Sequence, residues 1–317
     1  MVLLVVGGFV MKLATSTSDY TRYGIDAFEC IKEVHDAGFR YVDLSLYDLN
    51  PNSPFMQGDW RDYTLKLKDY ANSLGVEFVQ AHSQGGEPFS KNQDVVDFII
   101  KATKRSIEIC EVLGIKNTVA HTGCLLGLSK DEWFERNKRY YENYLPLLEK
   151  CGVNLLCENS AYSNTGEKYF INTAKDMLEF IKYVDHPNVH GCWDTGHANC
   201  NGSQYDEILT LGDEIYAIHY NDNHGVRDDH IAPFLGRMSH DEVLNALIDI
   251  NYKGYLTFEC GASLIKSDWW TGHRRRFEKD GRDNLLLEPQ LFMQRHIDKM
   301  LYETGKWMLE TYGIFEE

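Results

Sequence analysis

HDAGFRYVDLS, residues 35–45, packs a whole structural transition into eleven residues: the end of a helical pattern, a glycine, an apolar run, and a polar residue at its close. Glycine just after a helix suits the left-handed conformation that lets the chain turn straight into a strand. The same arrangement recurs in NSLGVEFVQAHS (72–83), EVLGIKNTVAHT (111–122), EKCGVNLLCENS (149–160) and INYKGYLTFECG (250–261). Gly38, Gly75, Gly114 and Gly152 lie 37, 39 and 38 residues apart, the length of one βα unit, and Gly254 opens a fifth copy. Helical spacing precedes the glycines, as in Leu67, Tyr70, Ala71, Leu74 and in Ile99, Ala102, Ser106, Ile109, Leu113. VHGCWD (189–194) and EIYAIHYND (214–222) supply strands between Gly152 and Gly254, and KLATSTS (12–18) supplies the first. Eight strands alternating with helices predict an α/β fold with a parallel sheet closed as a single-domain (β/α)8 TIM barrel. An open doubly wound sheet is the alternative, but no glycine-rich phosphate turn follows the first strand.

The 317 residues, 43% hydrophobic and 25% charged, suit one large globular domain. The opening MVLLVVGGFVM lacks a basic start and is too short to span a bilayer. Residues 1–10 are therefore expected to be an N-terminal extension, with the barrel filling 11–317. A net charge of −16 argues against a protein that grips phosphate backbones, so nucleic acid is not the expected partner. The eight cysteines form no CxxC pair and read as small hydrophobes of a reducing cytoplasm, the expected location. Self-association into a homo-oligomer is compatible with this composition, which does not decide it.

Catalytic groups of such barrels sit at the C-terminal ends of the strands. Those ends read Ser16, Ser45, His82, His121, Glu158, Asp194, His219 and Glu259, and the last six are all ionisable or metal-binding. In CWDTGHAN (192–199), Asp194 or Thr195 would serve equally well as a helix cap. Three carboxylates converging on one axis would repel, however, and burial would raise their pKa values unless a cation compensates. One divalent metal held by Glu158, Asp194, His219 and Glu259 is the economical account. That oxygen-rich set suits Mn²⁺, Mg²⁺ or Co²⁺ and also accommodates Zn²⁺.

CEN at Glu158, WDTGHAN at Asp194 and His197, IHYNDN at His219, DDH at Asp228 and His230, and TFEC at Glu259 appear in that order. In this the chain resembles the xylose isomerase-like TIM barrels, which include sugar-phosphate isomerases/epimerases, ketose 3-epimerases and endonuclease IV. The resemblance runs from Met11 to about Glu259. It implies one metal on Glu158, Asp194, His219 and Glu259, with Glu158 and Glu259 also moving the proton. It further implies a substrate pocket that includes His82, His121, His197, Asp228, His230 and, through GRM at 236–238, Arg237.

The expected activity is a metal-dependent sugar or sugar-phosphate isomerase/epimerase working through an enediolate on a small-molecule substrate. Endonuclease IV is the rival within the family: it uses three zinc ions, and every ligand type it needs has a counterpart here. In that reading His82, His121 and Glu158 hold one zinc and His197, Asp228 and His230 another, with Asp194, His219 and Glu259 completing the cluster. A non-catalytic sugar-binding barrel is the third reading, though it would not need so many ligand types. WWTGHRRRFEKDGR (269–282) lies in an insertion expected at about 261–288, where Trp269, Trp270 and one of Arg274–Arg276 are read either as a solvated loop or as a cover for the barrel mouth. A closing helix is expected from about Pro289 to Tyr312, with Met293, Ile297, Met300, Leu301 and Trp307 facing inward.

Overall fold

The computed structural model describes residues 10–21, 23–264, 278–279, 282–283 and 290–317. Eight strands form a closed barrel in chain order: β1 Lys12–Ser16, β2 Tyr41–Ser45, β3 Glu77–His82, β4 Asn117–Val119, β5 Asn154–Glu158, β6 Val189–Asp194, β7 Ile215–Tyr220 and β8 Tyr255–Phe258. Every neighbouring pair is parallel, and Lys12–Thr15 on Tyr255–Phe258 closes the ring. The (β/α)8 expectation holds. No helix among the described residues is long and apolar enough to cross a membrane. None of the eight cysteines is in a disulfide; Cys30, Cys110, Cys157, Cys192 and Cys260 are buried, and Cys124 is exposed.

Gly38, Gly75, Gly114 and Gly152 all take positive φ at the helix-to-strand turns, as the repeat predicts. Gly254 does not. The helix His240–Asp249 ends on Ile250, and Asn251 takes the left-handed position at φ 54°. Gly254 serves a different need: a Cβ there would stand 2.1 Å from the Tyr252 hydroxyl.

Alternation along each strand divides the apolar residues into two sets. A large cluster lies between the strands and the surrounding helices. A small separate one, Val119, Leu156, Cys192 and Ala217, sits within the ring. Each member of the small cluster precedes by two residues His121, Glu158, Asp194 or His219, so it forms the floor on which those side chains stand.

The closing helix, Leu291–Thr311, buries Gln294, Asp298, Leu301, Gly305, Met308 and Leu309. Of the five residues expected inward, Leu301 is buried and Ile297 packs at the edge of the core, while Met293, Met300 and Trp307 are exposed. The stripe is rotated because the helix presses on the barrel at Gly305, where a Cβ would lie 2.7 Å from the Phe258 ring. That rotation brings the polar Gln294 and Asp298 inward. Gln294 Nε2 donates to Asp298 Oδ1 at 2.8 Å, and the nearby Asp19 accepts from Thr15 Oγ1 at 3.0 Å. Met11 N donates to Ile314 O at 2.7 Å, tying the start of β1 to the segment after this helix. Trp269, Trp270 and Arg274–Arg276 lie outside the described residues; of the insertion, 278–279 pairs antiparallel with 282–283.

Two outcomes follow. Helix propensity alone would make Gly305→Ala stabilising by about 1 kcal/mol. The approach of Phe258 and Leu13 reverses that, and thermal unfolding should show a loss of roughly 1–3 kcal/mol, as for other overpacked cores. Burial pushes the Asp298 carboxyl up to about 6, against the lowering effect of Tyr20 and Gln294. The folded state therefore holds this proton through a range where the unfolded state has released it, and stability falls as pH rises from about 4 through 6. Asp298→Asn should gain on the wild type across that window, by on the order of 2–3 kcal/mol at most, in melting curves taken at pH 4, 6 and 8. A pH-independent gap between the two proteins would refute it.

Candidate active site

Glu158 and Asp194 end β5 and β6, His219 is the penultimate residue of β7, and Glu259 follows β8 directly. One ligand atom from each lies within 4.8 Å of the other three. Glu158 is the hub. Its Oε1 is 2.6 Å from His219 Nδ1 and its Oε2 is 2.7 Å from His121 Nε2. Glu259 Oε2 lies 3.5 Å from the same His219 Nδ1, so the two glutamates flank one imidazole edge. His82 Nε2 is 3.2 Å from His121 Nε2, while its Nδ1 faces Ser83 O at 3.0 Å. Donation to that carbonyl leaves the His82 Nε2 lone pair facing the site.

Asp194 caps a helix, as one reading of its motif asked, and stands among the donors that the other reading needs. Its Oδ1 accepts from His197 N at 2.6 Å, capping the helix Thr195–Asn201, and its Oδ2 accepts from Asn221 Nδ2 at 2.8 Å. A second group adjoins it. Asp228 Oδ2 lies 2.9 Å from His197 Nε2 and 2.7 Å from His230 Nε2, and His230 Nδ1 is 3.1 Å from Glu259 O. His230 holds φ 45°, a conformation few residues other than glycine adopt, which commonly marks a functional site.

Charge is unevenly balanced here. Burial would raise the Glu158 carboxyl, but His219 and His121 hold it well below its ordinary range. Burial also raises Asp194 and Glu259, and there the neighbouring imidazoles do not compensate fully. Burial and the adjacent His121 push His82 down to about 4, keeping it neutral. His197 goes the other way: burial opposes its charge, yet Asp194 and Asp228 raise it to about 10. A divalent ion fits this donor set, since it would hold Asp194 and Glu259 ionised. Four atoms from three carboxyls and an imidazole are within reach of one ion, and the buried His197 Nδ1 and Asp228 Oδ1 have no hydrogen-bond partner among the described residues.

His121, Glu158 and His197 open onto a cleft of about 490 Å³, walled by Tyr47, Phe89, Leu125 and Leu126, with Lys168 at its edge. His82, His121, Glu158, Asp194, His197, His219, Asp228, His230 and Glu259 thus come together. Arg237 is exposed in the loop after β7. That loop gives the site the side chains of Asp228 and His230, while the segment around Arg237 is folded back on Asp222, which accepts from Phe234 N, Gly236 N and Met238 N at 2.9–3.1 Å. Sequence reasoning missed Asn159, which holds the Asp194 backbone through Oδ1 on its N–H (2.7 Å) and Nδ2 on its carbonyl (2.9 Å). It also missed Asn221, Asp43 and Gln80. The asparagines were findable as polar residues directly after strand ends, in CENS and HYND. Cys192, read from the sequence only as a small hydrophobe, lies beside Glu158 and His219, and burial pushes its thiol up to about 12.

The family model for xylose isomerase-like TIM barrels matches residues 31–278. The uncharacterized protein MJ1311 of Methanocaldococcus jannaschii is 27% identical over 204 residues, covering 62% of this chain and 68% of that one. A D-psicose 3-epimerase of Ruminiclostridium cellulolyticum is 33% identical over 131 residues, 41% of this chain and 42% of the epimerase, so the alignment spans less than half of that enzyme. A probable endonuclease 4 of Thermotoga petrophila is 25% identical over 177 residues, 51% of this chain and 60% of the other. Among solved structures, D-psicose 3-epimerase of Clostridium cellulolyticum H10 with D-tagatose superposes with a TM-score of 0.70 at 21% identity, covering 94% of this chain and 99% of that one. That likeness shows a shared fold. With the closed barrel, its donors gathered at the strand ends and a family match across most of its length, the chain belongs to the xylose isomerase-like TIM barrels.

Proposed function

We propose that the protein is a divalent-metal-dependent sugar or sugar-phosphate isomerase/epimerase. The observation that carries this is the convergence of Glu158, Asp194, His219 and Glu259, with the two glutamates on either side of His219 Nδ1. These four residues would hold the ion. When bound, it would polarise adjacent carbonyl and hydroxyl oxygens of an open-chain sugar and so acidify the C–H between them toward an enediolate. The chain's own residues do the rest. Glu259, with 22% of its side chain exposed, is the more accessible carboxylate and takes the proton, whereas Glu158, at 3%, has both oxygens engaged. Glu158 or Glu259 returns it, on the same or the opposite face. His197 fixes a substrate oxygen, and His82 and His121 line the pocket. Sugar 3-epimerase relatives support a sugar as the substrate class.

A second reading is favoured by one specific observation. His82, His121 and Glu158 form one ligand set and Asp194, His197 and His230 another, both adjoining the first. Three adjacent sets are what a phosphodiesterase of the endonuclease IV type would use. The chain's −16 charge weighs against a DNA substrate.

Glu259→Gln keeps side-chain size and removes the proton acceptor. Turnover should fall on the order of 10²-fold or more, with exchange of substrate hydrogen into deuterated solvent falling in parallel. Metal content measured on the same sample separates loss of the base from loss of the ion. A metal-loaded variant with full turnover and full exchange would move the base elsewhere. Elemental analysis of purified protein should give one divalent ion per chain, and an abasic-site duplex should remain intact with added zinc. Three zinc ions with efficient incision would replace the sugar reading by the endonuclease one.

A further inference from the structure

Two interior side chains stand behind His219, on the ring edge opposite the glutamates. Asp43 of β2 and Gln80 of β3 are 1% and 4% exposed, in a barrel whose interior layers are usually apolar. Gln80 Nε2 donates to Asp43 Oδ2 at 2.7 Å and lies 2.8 Å from His219 Nε2. Asp43 Oδ2 is itself 3.6 Å from that nitrogen, and Asp43 Oδ1 is buried with no hydrogen-bond partner among the described residues. An acid and an amide in this layer cost desolvation that a pair of apolar residues would avoid.

A neutral imidazole carries one N–H, and its neighbours decide which nitrogen bears it. With the Gln80 N–H directed at Nε2, a neutral ring carries its proton on Nδ1, where Glu158 Oε1 lies 2.6 Å away. With Nδ1 serving as a metal ligand, that proton would have to leave it. The ring must then carry hydrogen on Nε2, and that hydrogen needs an acceptor in a buried wall. Gln80 presents a donor there. Asp43 Oδ2 is the acceptor within reach, once the Gln80 amide turns aside while remaining bonded to it.

We infer that Asp43 is a positioning residue for the metal: it accepts the Nε2 proton of His219 when Nδ1 is a ligand, and Gln80 holds Asp43 in place. This rests on the reading of His219 as a metal ligand given above. Partners of this kind fix ring orientation and raise ligand basicity, and their loss costs about 10–100-fold in metal affinity.

The test is Co²⁺ binding by the full chain, measured by competition with a chromophoric chelator, alongside melting of the metal-free proteins. Asp43→Asn keeps the shape and an oxygen for Gln80 but is a weaker acceptor, and should weaken Co²⁺ binding about tenfold. Asp43→Leu removes the acceptor and should approach 100-fold. Metal-free melting temperatures should stay level or rise, since a buried acid has gone, which a merely structural role would not give. Asp43→Asn binding Co²⁺ as tightly as wild type would overturn the inference alone and leave the functional reading intact. So would failure of both variants to fold, which would assign Asp43 to the scaffold. Wild type that binds no Co²⁺ would overturn both.

Discussion

Closure of β1 on β8 is the constraint from which the mouth of this molecule follows. A strand in an open sheet delivers its terminal side chain to one point along an edge. A strand in a closed ring delivers it to an axis shared with seven others. Because side chains alternate, the residue two positions earlier also faces inward, so Val119, Leu156, Cys192 and Ala217 form a dry layer under His121, Glu158, Asp194 and His219. Acids and imidazoles are thereby set on an apolar floor, with little solvent to screen them. Their mutual electrostatics become strong because the fold leaves them nowhere else to go.

That arrangement is satisfied unequally. Glu158 spends both oxygens on imidazoles, whereas Asp194 and Glu259 stay partly uncompensated. A scaffold optimised for stability alone would have replaced them with apolar residues of similar size. Their retention beside Asp228, His197 and His230 makes the mouth a preorganised polar site whose desolvation cost is borne by the surrounding barrel.

Much of this was legible in the sequence because it is local. A glycine after a helix and a polar residue after an apolar run are short-range signals, and they pointed to all eight strands and to the six ionisable residues at their ends, while His197, Asp228 and His230 came with the family motifs. Tertiary contacts decided what was missed. Gly254 carries the glycine signal, but Asn251 had already turned the chain and the Tyr252 ring claimed the space. The closing helix shows large apolar residues at helical spacing. Yet the close approach at Gly305 turned Met293, Met300 and Trp307 outward in favour of Gln294 and Asp298. Asp43 and Gln80 lie inside strands, where a single polar residue reads as solvent-facing until ring closure shows which face is inside. Arg237 was read from its neighbours in GRM; the structure uses the main chain of that segment, gathered on Asp222.

Asp194 closes a helix with one oxygen and offers itself to the barrel axis through a group that Asn221 steadies. This double employment narrows the sequences that evolution can sample at position 194. Glutamate would keep the charge but carry it one methylene past the first turn of Thr195–Asn201. Asparagine or serine would keep the turn and lose the charge, and histidine would keep a donor for metals while unfastening the helix that carries His197. With the ion held as proposed, a drift in metal preference would run through Glu259, whose side chain meets only imidazoles among the described residues, before it reached Asp194.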